Sequence, residues 1–156
     1  MKQITQLVAI FLMMSVNLHA VLPLQWETLA LLNTKNDDIP KELQNYDNKK
    51  VEIAGFIVPL ELDDAIDLVK VFILVPDPLS CVHVPPPSTN QMILVEMKKA
   101  IPLDMDLRGV AIRGVLSIQE QNVEGEAVSY LLKGVTAKEA NIEVDDFWPD
   151  MSDLFY

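Results

Sequence analysis

Cys81 stands two residues before His83, at the head of the run Cys81-Val82-His83-Val84-Pro85-Pro86-Pro87-Ser88-Thr89-Asn90-Gln91. Cys81 is the only cysteine in the chain, and the only other histidine, His19, lies in an N-terminal apolar stretch. Thiolate and imidazole are soft and borderline ligands, suited to Zn²⁺ or copper. In an extended segment, residues two apart project to the same side, so a sulfur and a ring nitrogen can converge on one ion. Two ligands fall short of a zinc site, which takes four, or three plus water. Carboxylates, water or a second chain would complete it, and one of the seven methionines would suit Cu(I).

Two other readings of the same residues stay open. Cys81 as a nucleophile with His83 as its base requires the two groups to hydrogen-bond. Catalytic dyads usually draw their members from separate parts of a fold, and a lone cysteine has no resolving thiol, so catalysis is the weaker reading. In the structural reading, Pro85, Pro86 and Pro87 fix φ near −65° and make a stiff loop without backbone donors. Asn90 and Gln91 then satisfy carbonyls and amides around that loop, and Cys81 is a small buried hydrophobe. Such a loop is a platform for a protein partner.

The other acidic groups are weaker candidates. Asp63, Asp64 and Asp67 precede an apolar run as a loose cation site or as solvated charges; Asp104 and Asp106 have the same standing. The sequence contains no Walker loop, dinucleotide fingerprint, HExxH motif or serine-triad order.

The elements that must position the segment are mostly strands. Val51 to Leu60 is β-rich with Gly55 at its middle, the place for a bulge or sharp bend. Leu68 to Val75 is a nearly continuous apolar run, as in a strand buried on both faces. Met92 to Met97, Val110 to Ile118 and Ala127 to Val135 complete five, with Gly114 at a second bend and Gln119 to Glu126 as a hairpin connection. Five strands, two with central glycines, predict a mainly β protein: a small five-stranded barrel of the oligonucleotide/oligosaccharide-binding type, closed by a connection over Lys98 to Leu107. A β-sandwich is the alternative. Ahead of the strands, Trp26, Leu29, Leu31 and Leu32 predict a short helix, and Pro40 opens a turn through Leu43.

Residues 1–20 have the parts of a secretory signal peptide: Lys2, the apolar run Leu7 to Met14, and a cleavage site near Ala20. The run is short of the roughly 20 residues that a membrane-spanning helix needs. The expected product is exported, periplasmic or secreted, with no integral membrane segment after cleavage. Residues 21–143 read as one β-rich domain, and residues 144–156 as an acidic tail carrying Phe147, Trp148, Phe155 and Tyr156. That tail reads either as an aromatic strap over the open end of the barrel, against Trp26, or as a partner-binding peptide. With 23 acidic against 12 basic residues the net charge is −11, about −12 once Lys2 has left. Such a field repels phosphate backbones and argues against nucleic acid as a partner.

From Asp47 to Gln119 the sequence resembles a family of exported bacterial proteins of uncharacterised function. The residues that carry the likeness are Lys50-Val51, Ile53, Gly55-Phe56, Val58-Pro59-Leu60 and Phe72-Leu74-Val75-Pro76. They continue through Cys81, His83, Pro85-Pro86-Pro87 and Asn90-Gln91. The resemblance implies a periplasmic protein or lipoprotein, in some cases beside transporter components linked to metal supply. This chain departs from common members in having no lipid-attachment cysteine and in having Val84 before the prolines. The expected function is that of a non-catalytic binding protein, a zinc- or copper-handling accessory whose partner is an envelope transporter or another periplasmic protein.

Overall fold

The computed structural model describes residues 20–33, 38–60, 67–78, 87–103, 108–123 and 125–142. It is mainly β, with one mixed six-stranded sheet and little helix. The strands are β1 (Leu22–Pro23), β2 (Lys50–Pro59), β3 (Leu68–Val75), β4 (Ile93–Pro102), β5 (Val110–Val123) and β6 (Glu126–Glu139). Two one-turn helices, α1 (Trp26–Leu29) and α2 (Lys41–Gln44), lie between β1 and β2. Among the described residues, no helix is long and apolar enough to cross a membrane.

The order of pairing is β1-β2-β3-β4-β6-β5, and β2 also pairs with β5. Gly55 is where β2 changes partner. Lys50 to Gly55 pair with β5, whereas Phe56 to Pro59 pair with β3. A strand serving two neighbours must bend sharply at the change. At Gly55 the bend leaves no room for a side chain: an added Cβ would lie 2.6 Å from Val75 O. Gly114 likewise has no room for a side chain, since a Cβ there would clash with Lys133 O, where the β5–β6 register shifts.

Alternation sorts β2 cleanly at its start: Val51 and Ile53 are buried while Glu52 faces outward. Glu52 bonds Arg113 of β5 and, at 3.3 Å, Lys138 of β6. The Arg113 hydrogen bond holds the Glu52 carboxyl below its usual range. All three groups are substantially exposed, so this cluster orders side chains on the surface and adds little stability.

The apolar run of β3 is buried on both faces over Phe72 to Val75, as its composition requires, but Leu68, Lys70 and Val71 are exposed. Two apolar clusters result. The larger lies inside the sheet and contains Phe72, Leu74, Ile93, Ile112, Leu116 and Leu132, with Leu29 of α1 and Leu43 of α2 fully buried in it. The smaller lies on the outward-facing residues of the same strands, at Ile73, Val75, Met92, Leu94 and Leu131.

Three strands run longer than expected. β4 continues past Met97 to Pro102 because Ile101 and Pro102 pair with Val69 and Leu68 beyond a bulge. The expected connection from Gln119 to Glu126 is mostly ladder: Gln121, Asn122 and Val123 pair with Val128, Ala127 and Glu126. Gly125, with φ of 95°, makes the reversal, and its N–H donates to Asn122 Oδ1 at 3.1 Å. Polar composition there marks exposed strand ends that extend past the core, a distinction that composition alone does not make.

Candidate functional site

Cys81, His83, Pro85 and Pro86 lie outside the described residues; Pro87, Asn90 and Gln91 lie within them. The described part of the segment closes in a 3-10 turn, Thr89–Gln91, where the Gln91 N–H donates to Ser88 O at 2.7 Å. Ser88 Oγ donates to Asn90 Oδ1 at 2.5 Å, which orients the Asn90 amide with its nitrogen outward from the turn. Asn90 Nδ2 then donates to Ala30 O at 3.1 Å and Leu32 O at 2.9 Å. Gln91 Nε2 donates to Trp26 O at 3.2 Å and Asn90 O at 3.0 Å.

The acceptors explain the donors. α1 is one turn long, so its last carbonyls lack partners within the helix. The Asn90 side-chain amide, about 60 residues away, satisfies Ala30 O and Leu32 O, and Gln91 Nε2 adds a second donor to Trp26 O, which already accepts from Ala30 N at 2.9 Å. Asn90 and Gln91 are thus carbonyl-satisfying residues, as their chemistry suggests. Most of the carbonyls they reach belong to the N-terminal Trp26–Leu32 segment, whereas the sequence pointed to groups around the loop itself.

Two further residues complete the anchorage, and sequence reasoning did not assign either of them this part. The hydroxyl of Tyr130, fully buried on β6, donates to Leu29 O at 2.7 Å. Burial raises its pKa well beyond the ordinary phenol value, so the hydroxyl keeps its proton and stays a donor. The indole of Trp26 donates to Ala54 O at 2.7 Å and lies over Gly55, within 3.0 Å of where a Cβ would stand. A tyrosine inside an apolar strand run carries the signal that would have revealed this, because its buried O–H must find an acceptor. Tyr130→Phe is therefore expected to cost about 1 kcal/mol, since it removes one of the two donors to the Leu29 carbonyl and leaves the Leu32 N–H at 3.1 Å as the other. Equilibrium urea unfolding of the variant measures it.

The result is a three-sided clamp. β2 holds the N-terminal segment through Ala54, β6 holds it through Tyr130, and the 3-10 turn holds it through Asn90 and Gln91. Chemically the clamp is a set of neutral hydrogen bonds with no nucleophile in it. What it can do is fix the downstream end of the Cys81–Gln91 segment to the body of the fold.

Of the acidic candidates, Asp67 is described, and its backbone carbonyl accepts from Leu103 N at 3.0 Å. Asp63, Asp64, Asp104, Asp106 and residues 143–156 lie outside the described residues. Among the described residues, no three His, Cys, Asp or Glu side chains gather as a metal would need.

The model of a family described as a protein of unknown function, DUF3299, matches residues 26–139. The match starts at Trp26 and ends at Glu139, so it takes in both α1 and the last strand. A crystal structure of a DUF3299 family protein from Pseudomonas aeruginosa is similar to this chain, with a TM-score of 0.62 and 24% identity. The similarity covers 80% of this chain and 99% of that one, and it bears on the fold alone. No curated protein matches this chain.

Proposed function

This chain belongs to the DUF3299 family of proteins of unknown function, and from that premise we propose that it is a non-catalytic binding protein of the bacterial periplasm. In this reading Cys81 and His83 take up zinc or copper, and the protein serves as an accessory to an envelope transport system. The observation that carries it is the coincidence of the only thiol with one of two imidazoles, two residues apart. The clamp supports it further. A pair of ligands is useful only if its backbone is held, and Asn90 and Gln91 hold the chain seven residues beyond His83.

The chemistry of such a site follows from its ligands. The Cys81 thiol must lose its proton and the His83 ring must be neutral to bind, so affinity falls with pH through the histidine range. Water and carboxylates complete the coordination of Zn²⁺, while Cu(I) accepts fewer ligands. The host under this reading is a barrel of the oligonucleotide/oligosaccharide-binding type. The pairing sequence β2-β3-β4-β6-β5 with a return to β2 supports that architecture.

A second reading draws on the same hydrogen bonds. Asn90 and Gln91 brace a proline-rich loop whether or not a metal sits on it, which is what a platform for a protein partner requires. Native mass spectrometry of the exported protein, purified without chelators or affinity-tag metals, separates the two. The metal reading expects one zinc or copper per chain, lost in both Cys81→Ser and His83→Ala. A mass that stays metal-free after Zn²⁺ or Cu⁺ is added overturns that reading in favour of the partner loop.

A further inference from the structure

β4 and β6 separate at Met97 and Gly134, the last pair of their parallel ladder. Gly134 marks the parting, since a Cβ there would run into the Met97 sulfur. β4 turns away to follow β3: past a bulge in which Lys70 alone faces Met97 to Ala100, Ile101 and Pro102 pair with Val69 and Leu68. β6 runs on to Glu139 with β5 as its one strand neighbour, Val135 being the extra residue where the β5–β6 register shifts. Val135 to Glu139 therefore form a free strand edge. Backbone groups of alternate residues in a strand point to opposite neighbours, so about every second N–H and C=O of this stretch faces away from β5. Among the described residues, no backbone hydrogen bond from outside the ladder reaches it. Across the gap, Lys98, Lys99 and Ala100 of β4 are exposed as well.

The gap is a groove lined by Lys70, Val71, Glu96, Lys98, Lys133 and Val135. Val71 is 42% exposed and Val135 59% exposed, so apolar surface lies open in it. Three lysines against one glutamate make the lining locally positive on a chain whose net charge is −11. The ion pairs found among the described residues, Glu52 with Arg113 and with Lys138, use none of these four groups. That sign selects the occupant. Pairing with a second copy along this edge would set one positive lining against another, the usual way lysines guard a free strand. An acidic strand from a different protein meets no such barrier. It gains the lysines as counter-charges and the two valines as apolar floor.

We propose that an extended acidic segment of a partner protein adds as a strand along Val135 to Glu139 of β6, in the gap that β4 leaves. Its aliphatic side chains rest on Val71 and Val135, and its carboxylates lie on Lys70, Lys98 and Lys133. In strand addition the backbone bonds give affinity and the alternate side chains give specificity. Here the specificity is for carboxylates interleaved with aliphatic residues. The site uses neither Cys81 nor His83, and it stands whether or not they bind metal.

Fluorescence anisotropy of the full chain with two labelled octapeptides tests the site, one alternating Val with Glu and the other alternating Val with Lys. The Val/Glu peptide is expected to bind and the Val/Lys peptide to stay free. Lys98→Glu/Lys133→Glu is expected to weaken binding by roughly tenfold or more, whereas Lys98→Arg/Lys133→Arg leaves it near the native value. Both pairs change exposed side chains, and circular dichroism verifies that the variants fold. N-methylation of alternate amides of the Val/Glu peptide, made in both registers, leaves its charge intact and is expected to abolish binding in one of them. Hydrogen exchange between Val135 and Glu139 slows when the unmodified peptide is bound. No binding of the Val/Glu peptide, or equal binding to the two lysine variants, overturns the proposal. So does full binding of both N-methylated peptides, which would reduce the groove to a charge patch. A chain that light scattering finds dimeric without peptide, and whose exchange between Val135 and Glu139 quickens on dilution, gives the edge to a second copy and overturns it too.

Discussion

Gly55→Ala is expected to lower the unfolding free energy by about 3 kcal/mol, at the upper end of what overpacking a closed site usually costs. The added methyl would stand 2.6 Å from Val75 O, and 3.0 Å from both Leu74 Cγ and Trp26 Cζ2. The first of these is backbone, and it belongs to the β2–β3 ladder that begins at Phe56 and Val75. Relief therefore requires opening the ladder at its first rung or lifting the Trp26 indole, which breaks its bond to Ala54 O. Neither is available cheaply, because both contacts converge on the residue where β2 changes partner. The measurement is the urea midpoint, with an unchanged denaturant slope showing that the change is in stability. A loss below about 1 kcal/mol would show that the strand crossing yields more readily than its packing implies.

Trp26→Ala is expected to cost about 3 kcal/mol, the lower end of the range for truncating a large aromatic, because the indole is half-buried. Two contributions are separable. Trp26→Phe keeps most of the ring over Gly55 and removes the donor to Ala54 O, a loss of about 1 kcal/mol. The remainder is packing. Trp26 also has a connection that a purely local side chain lacks: its carbonyl accepts from Gln91, and the following residues accept from Asn90 and Tyr130. Loosening α1 therefore removes acceptors from the 3-10 turn. Hydrogen exchange at the Gln91 amide is expected to accelerate in Trp26→Ala and to stay near its native rate in Trp26→Phe. Equal exchange in the two variants would mean that the turn stands without the helix.

The parts of this fold legible in the sequence are those set by short-range periodicity. Val51 and Ile53 alternate with Glu52, Phe72 to Val75 are apolar without break, and the glycines at 55 and 114 fall where strands cross or shift. The boundaries were less legible. β4, β5 and β6 extend past their apolar centres because cross-strand backbone pairing continues through mixed sequence, and backbone pairing leaves little trace in side-chain pattern. The anchorage of the candidate segment was visible by chemistry and hidden by distance. Asn90 and Gln91 announce hydrogen bonding, but nothing within ten residues of them shows that Trp26, Ala30 and Leu32 supply the acceptors. Tyr130 was folded into an apolar strand, although its hydroxyl alone implied a partner. Cys81 and His83 stood out by rarity, which is a property of composition and needs no structure.

The double role of β2 has a consequence for how the chain assembles. β5 and β6 are joined by a tight reversal at Gly125 and share a long antiparallel ladder, so they meet early and locally. The pairing of β2 with β5 joins residues such as Ile53 and Ile112, which are far apart in the chain. Closing so long a loop costs entropy before any contact repays it, and rates fall as contacts become less local. The β5–β6 hairpin is then expected to act as the template, with the capture of β2 on its free edge as the slow step. Gly55 sits at the end of that captured stretch, so the residue that permits the bend also decides when the last strand can turn away toward β3.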